Sequence, residues 1–540
     1  MTKVLIKEGN LWKKYSNTSI TVFYSGYFYS HSISEIIESI SGQLIENIKQ
    51  IIQNIDGHFS LVIVKKNVTI VVVDKIRSTP LFFTKIDDTF YIDNNPARLI
   101  TNDKFVTDVD HDATLEVSMS GYTIGSKTIY KNLSSLKAGE LAIFEENFCT
   151  IHQYFKYYPI SKDNHVDYEA DLSKLTIKIF KKMLESVGSR QIIIPLSAGN
   201  DSRLVASILK ELGATNVVCY SYGLSGNFEA KAAKSIAEKL GYKWFFVPLN
   251  HKSEKIFYKS DEYKKYCKFS ETFSSVPYIQ SLSTIKYLKE LNLIDDDAIF
   301  INGNGGDFIS GLHLNYLSKN NHEVADISIR KEAILNSIIK THFSLWGQFS
   351  TADNINRIKN SLWAELEQQC GTLSDNENDH AFYEYSEFID RQSKYVVAGQ
   401  RAYEYYGHEW RLPLWDNEYI DFWAKVPVEF KVNQSLYLDM LKKNNFANVW
   451  GKSIPVNNKT INPKWIIPIR FLCKLPFALL GKKGKAWWHE FEIIFFYYWM
   501  DNTRMMSTVS YWRVIKSFGK KPQNHVSWQA KDYLHNHNIK

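Results

Sequence analysis

Residues Ile192-Ile-Ile-Pro-Leu-Ser-Ala-Gly-Asn-Asp-Ser-Arg203 decide the reading of this 540-residue chain. A β-branched, apolar run empties into small residues. Beyond Asp201, apolar positions then recur at Leu204, Val205, Ile208, Leu209 and Leu212. A spacing of three and four after a continuous apolar run predicts strand, loop, helix. Leu196, Ser197, Ala198 and Gly199 carry little bulk beyond the leucine, so backbone N–H groups here can approach an anion. The unsatisfied amides and positive end of the following helix favour a phosphate. Asp201 and Ser202 suit a helix N-terminus, and an ordinary capped turn would use the same residues. A carboxylate beside a phosphate cradle, however, repels its ligand unless a divalent cation stands between them. A magnesium-nucleotide is therefore the expected ligand. The spacing fits neither the Walker loop, which needs Lys and Ser or Thr after its last glycine, nor the dinucleotide fingerprint with three spaced glycines.

Ser197-Ala-Gly-Asn-Asp-Ser202 resembles the Ser-Gly-Gly-x-Asp-Ser loop of the pyrophosphatase-type ATP-binding fold shared by asparagine synthetases and β-lactam synthetases. Further segments agree in order. Val217–Tyr222 reads as a second strand, Asn227–Gly241 as a helix with Glu229 where that family has an acidic residue, and Trp244–Val247 as a third strand. Ala298-Ile-Phe-Ile-Asn-Gly-Asn-Gly-Gly-Asp-Phe-Ile-Ser-Gly311 resembles the family's strand ending in Gly-Glu-Gly-x-Asp-Glu. Glu409-Trp-Arg-Leu-Pro-Leu-Trp-Asp416 is similar to its Glu-x-Arg-x-Pro-Phe-Leu-Asp box, with Pro427 following. Two carboxylates of the family motif are missing, because Asn304 and Phe308 stand in their places.

Ligands of parallel α/β sheets bind at the carboxyl ends of the strands, so the loops at 197–202 and 303–307 are expected on one rim. Asp201 and Asp307 would share magnesium there, while Gly303 and Gly305 let backbone approach the nucleotide. The resemblance implies ATP and Mg as cofactors, a small-molecule carboxylate activated as its adenylate, and ammonia or an amine as acceptor. It also supplies a lysine late in the synthetase domain. Lys459 is the candidate by order along the chain, and Lys452 is next. Arg411 and Asp416 are expected to form a buried structural pair.

Asp56-Gly-His-Phe-Ser-Leu-Val-Ile-Val64 and Val71-Val-Val-Asp-Lys-Ile-Arg-Ser-Thr-Pro-Leu-Phe82 resemble segments of the same family's N-terminal glutaminase domain, as do Tyr24–Tyr29 and 122–139. Their alternation predicts antiparallel strands around a turn. The catalytic pattern is absent: Thr2 follows Met1 where the family exposes Cys, and Tyr27 replaces the acid of its Asn-Gly-Glu motif. The domain is expected to be structural, with nitrogen from free ammonia, a partner or an amine.

The implied fold is α/β and α+β. An Ntn-hydrolase-like sandwich (1–155) precedes an adenine-nucleotide α-hydrolase-like parallel sheet (165–460) with a helical extension (461–540). Five well-separated cysteines indicate neither a disulfide framework nor a zinc site and suit a reducing cytosol. No signal or membrane-spanning run is evident. Net charge is +7, yet residues 451–540 hold 15 Lys and Arg against four acids. Within them, Trp465–Leu480 is aromatic and aliphatic, flanked by Lys482, Lys483 and Lys485. That pattern suits a membrane surface or a partner. A buried C-terminal cap with a solvated basic face is the simpler expectation. Nucleic acid is not expected, because the aromatics are bunched rather than interleaved with basic groups. Other readings of the whole chain are a catalytically silent nucleotide-binding scaffold, amidation of a sugar or polysaccharide precursor, and an RNA-modifying adenylating enzyme.

Overall fold

The structure is a computed structural model that describes residues 1–160, 167–316, 326–373, 378–451, 454–456 and 461–539. Its N-terminal unit stacks two sheets. One is six-stranded, built from β2 (Lys13–Ser16), β3 (Thr21–Phe28), β4 (Gly57–Val64), β5 (Val68–Val73), β9 (Glu140–Glu145) and β10 (Phe148–Gln153) in the order β10-β9-β5-β4-β3-β2. All of its pairings are antiparallel. The other has four strands, β1 (Thr2–Val4), β6 (Phe82–Ile86), β7 (Thr89–Asp93) and β8 (Ser134–Ser135), in the order β1-β7-β6-β8.

Alternation along the strands sets the layers. Val62, Val71 and Val73 pack with Phe90 and Ile92 between the sheets. Their neighbours Leu61, Ile63, Ile70 and Val72 pack on the other face against Ile37 and Ile48, from two short helices. Asp74 fixes the turn after β5, its carboxylate accepting from the N–H groups of Phe59, Ile76 and Ser78.

A five-stranded parallel sheet follows, with β11 (Ile192–Pro195), β12 (Val217–Gly223), β13 (Lys243–Pro248), β14 (Ile299–Ile301) and β15 (Glu409–Arg411). Its order, β13-β12-β11-β14-β15, places β11 at the centre and reverses direction of growth between β11 and β14. The apolar residues read from the opening stretch are buried: Ile193, Ile194, Leu204, Val205, Ile208 and Leu209 have essentially no exposed surface. The helix Phe228–Leu240 is capped by Asn227 and ended by Gly241 in the left-handed region.

The two units meet through named contacts. Tyr27 lies in the interface, its ring 4.0 Å from the Arg411 guanidinium. His58 Nε2 lies 3.0 Å from the Trp415 carbonyl and Nδ1 lies 2.6 Å from the Tyr27 hydroxyl. A carbonyl only accepts, so Nε2 carries the proton and Tyr27 donates to Nδ1. Burial raises the Tyr27 phenol above its ordinary value and keeps it a donor. Lys182, on the helix Tyr168–Val187, reaches Asp56 of the first unit and Asp416 of the second at 2.7 Å each.

Two expectations need correction. Arg411 and Asp416 are both buried but do not pair with each other. Arg411 donates to Ser186 Oγ (3.0 Å) and faces Glu409, while Asp416 meets Lys182 and caps the helix Asn417–Trp423. The two side chains leave opposite ends of the Arg-Leu-Pro-Leu-Trp-Asp stretch, so each takes the partner on its own side. The C-terminal extension is also not one buried cap. Ile494, Tyr498, Met506 and Trp528 pack with Phe82, Val117 and Trp346, whereas residues 465–480 are largely exposed. All five cysteines are free. Among the described residues no helix is long and apolar enough to cross a membrane.

Replacing His58 by Ala removes a buried hydrogen bond from each of the Tyr27 hydroxyl and the Trp415 carbonyl. It should cost about 1–3 kcal/mol, read as a lower urea midpoint of the full chain; an unchanged midpoint would remove this interface bond from the fold's support.

Candidate functional site

At the carboxyl end of β11, Leu196 is buried and Ser197, Ala198 and Gly199 turn the chain into the helix Asn200–Glu211. The turn is held from within. Ser202 Oγ accepts from the Ser197 N–H (3.0 Å) and Ser197 Oγ accepts from the Gly199 N–H (3.1 Å). Ala198 is not among the residues at positive φ, so its Cβ causes no strain. No side chain caps the helix, which leaves its first-turn N–H groups facing the rim.

The second loop presses onto the first. A Cβ on Gly303 would stand 2.8 Å from the Asp201 carbonyl carbon, and one on Gly306 would stand 2.5 Å from Asp201 Oδ2. Gly305 adopts φ +99 over the Trp415 indole, a conformation and a closeness that a side chain would forbid. The glycines of this loop thus serve to bring Asp307 against Asp201. The Asp307 N–H donates to Asp201 Oδ2 at 3.2 Å.

Tyr437 and Gln434 complete the arrangement, and no motif in the sequence announces them. The buried Tyr437 hydroxyl donates to Asp201 Oδ1 at 3.0 Å. Gln434 Nε2 donates to Ser310 Oγ (2.6 Å) and approaches Asp307 Oδ1 (3.4 Å). Asn433 and Gln434 both sit at φ +59. Left-handed backbone at non-glycine residues costs energy and gathers at functional sites. The only signal available in advance was their place on a helix start that follows the Pro427 turn.

Among the described residues no Lys or Arg pairs with Asp201 or Asp307, and no cluster of three His, Cys, Asp or Glu exists. Burial first, and the Asp307 charge second, push the Asp201 carboxyl up to about 8. Two crowded carboxylates without a protein cation form a donor set that suits a divalent ion completed by phosphate oxygens and water, which is how Mg²⁺ is ordinarily held.

Arg203, from the opening stretch, is buried and bridges the loop to a distant segment. Its guanidinium donates to the carbonyls of Ala198 (2.9 Å) and Ile454 (2.9 Å). Desolvation lowers its pKa to about 10. Lys459 and Lys452 lie outside the described residues. Asn304 donates its N–H to Asn302 Oδ1 (3.0 Å), and its side-chain nitrogen lies near Gly399. Phe308 is buried in an aromatic layer with Trp415, Phe388 and Tyr157, away from solvent. Glu229 lies in the first turn of its helix and is exposed. Along the ends of the neighbouring strands, Tyr278 donates to Gln280 Oε1 (2.6 Å) and Gln280 donates to the Tyr222 hydroxyl (2.7 Å).

Comparison with known proteins accords with this architecture. Residues 185–445 match the asparagine synthase family profile, and residues 22–155 match that of a glutamine amidotransferase domain. The region 185–445 thus belongs to the asparagine synthetase family. A probable glutamine-hydrolyzing asparagine synthetase of Acanthamoeba polyphaga mimivirus is 35 % identical over 107 residues. That match covers 18 % of this chain and 20 % of the relative's length. Among solved structures, the allosteric regulatory enzyme of purine biosynthesis aligns with 12 % identity and a TM-score of 0.20, over 44 % of this chain and 62 % of that one. Glutamine phosphoribosylpyrophosphate amidotransferase from B. subtilis aligns with 11 % identity and a TM-score of 0.19, over 55 % and 64 %. Scores this low carry no argument about the fold.

The raised Asp201 pKa has a signed consequence. Between its ordinary unfolded value near 4 and about 8, the folded chain binds a proton that the unfolded chain lacks, so this group's contribution to stability declines as pH rises through that window. Asp201→Asn removes the decline. With metal chelated, the variant should melt above the parent at pH 8 and gain less at pH 5; a lower melting temperature at pH 8 would contradict the crowding. Gly306→Ala should cost about 1–3 kcal/mol by driving a methyl into the Asp201 carboxylate, and a neutral result in the same melts would show that the loops are not in contact.

Proposed function

We propose that this protein is an ATP-dependent carbon–nitrogen ligase that activates a substrate carboxylate as its adenylate and transfers the acyl group to ammonia or an amine. The observation that carries the reading is the pairing of Asp201 with Asp307 at the carboxyl rim of the parallel sheet, beside an uncapped helix N-terminus. Asp201 and Asp307 would hold Mg²⁺, which supplies charge neutralisation at the phosphates. The first-turn N–H groups from Asn200 to Ser202 would bind phosphate oxygens. Tyr437 and Gln434 keep the two carboxylates in place by hydrogen bonds to Asp201 and Asp307. A substrate carboxylate oxygen would bond to the α-phosphorus as the bond to pyrophosphate breaks. The amine nitrogen would then bond to the acyl carbon as AMP leaves, its proton passing to solvent. Lys459 is proposed as the cation for the developing charge.

The N-terminal unit is proposed to be structural rather than a glutaminase. Support comes from Tyr27, which stands where the family's motif has an acid and is buried between His58, Trp410 and Arg411. The silent-scaffold reading draws on Asn304 and Phe308, which leave two carboxylates of the motif unsupplied.

The test is AMP release by the full chain with ATP, magnesium and ammonium across a panel of acids that includes aspartate, with glutamine as a separate nitrogen source. AMP should form with one acid and ammonium but not with glutamine in its place. Asp201→Asn should lower acid-dependent ATP–pyrophosphate exchange at least about a hundredfold, through lost metal charge stabilisation. ATP binding without AMP from any acid would favour the scaffold.

A further inference from the structure

The helices Ile466–Ala478 and Gly481–Glu492 form a hairpin. In the first of them only Ile466 is buried, while Phe471 and Leu472 are 63 % and 64 % exposed. Leu479, at the turn, is 89 % exposed, and Trp487 on the second helix is 57 % exposed. The hairpin is closed on itself by Phe477 against Trp488 (5.6 Å) and Phe491 (5.3 Å), and by the Arg470–Glu492 pair at 2.5 Å. Contiguous exposed apolar surface of this kind marks an interaction site.

The charge pattern decides which kind. Lys464, Lys474, Lys482, Lys483 and Lys485 are exposed, and none pairs with a carboxylate among the described residues. The hairpin's two acids are already engaged: Glu492 holds Arg470, and Glu490 accepts from the Gly519 N–H. Protein interfaces are depleted in lysine, whereas apolar and aromatic side chains beside free lysines suit the boundary of an anionic bilayer. At 1.5 Å per residue either helix measures about 20 Å, short of the about 30 Å hydrocarbon core. The hairpin can lie in a lipid surface but cannot cross it.

We propose that the 466–492 hairpin seats the protein on an anionic phospholipid surface. Phe471, Leu472, Leu479 and Trp487 enter the headgroup boundary, and Lys482, Lys483 and Lys485 meet lipid phosphates. The chain leaving the hairpin returns directly to the nucleotide-side rim: the Asn502 carbonyl accepts from the Leu224 N–H at the end of β12 (2.7 Å).

The test is co-sedimentation of the full chain with vesicles of pure phosphatidylcholine and with vesicles containing about one-third phosphatidylglycerol, with Trp emission read alongside. Binding to the mixed vesicles with a blue shift, weakened by salt, is expected. Replacing Lys482, Lys483 and Lys485 by Gln should lower that affinity about a hundredfold. Leu472→Ser with Leu479→Ser should lower it with every charge in place, which separates insertion from adsorption. No sedimentation with either vesicle, or affinity unchanged in both variants, would overturn the proposal. So would self-association of the parent chain that the double serine variant abolishes, since the face would then belong to a second copy.

Discussion

The Asp307 N–H bound to the Asp201 carboxylate, with no Lys or Arg paired to either aspartate among the described residues, is the constraint around which the rim of the sheet is arranged. Asp201 arrives at the end of β11 and Asp307 at the end of β14, on either side of the point where the strand order reverses. Their approach requires bare backbone at Gly303 and Gly306, a hydroxyl from Tyr437 and an amide from Gln434. It also requires a left-handed backbone that few side chains adopt, at Asn433 and Gln434. Burial and the nearby Asp307 charge disfavour the ionised form of Asp201. In the proposed function a divalent cation would relieve that cost.

The N-terminal unit bears on that site through a short mechanical path. His58 binds the Trp415 carbonyl, and the Trp415 indole lies beneath Gly305, two residues before Asp307. Lys182 joins Asp56 of the first unit to Asp416, next to Trp415. The N-terminal unit thereby has a physical role as a buttress for the rim. Tyr27 fits that role, filling interface space with a ring stacked on Arg411 in place of an acid.

What the sequence disclosed and what it hid follow one division. Patterns set by local backbone geometry were legible: the strand, loop and helix around Ser197–Ser202, the helix beginning near Asn227, and the alternating strands of the N-terminal unit. Partners fixed by tertiary packing were not. Nothing local says that Arg411 turns to Ser186 and Glu409 while Asp416 turns to Lys182. Tyr437 and Gln434 reach the site from more than a hundred residues beyond Asp307, on a segment without a motif. In the extension, composition cannot separate apolar residues that have a surface to cover, such as Ile494 and Trp528, from those that have none, such as Leu472 and Leu479.

Calorimetric titration of the full chain with ATP, with magnesium present and then with magnesium chelated, addresses the paired carboxylates most directly. If Asp201 and Asp307 are a divalent-ion seat beside a phosphate cradle, ATP binds with magnesium and binding collapses without it, because the uncompensated carboxylates then repel the phosphates. Equal affinity in both conditions would contradict that assignment and return the two aspartates to a purely structural role.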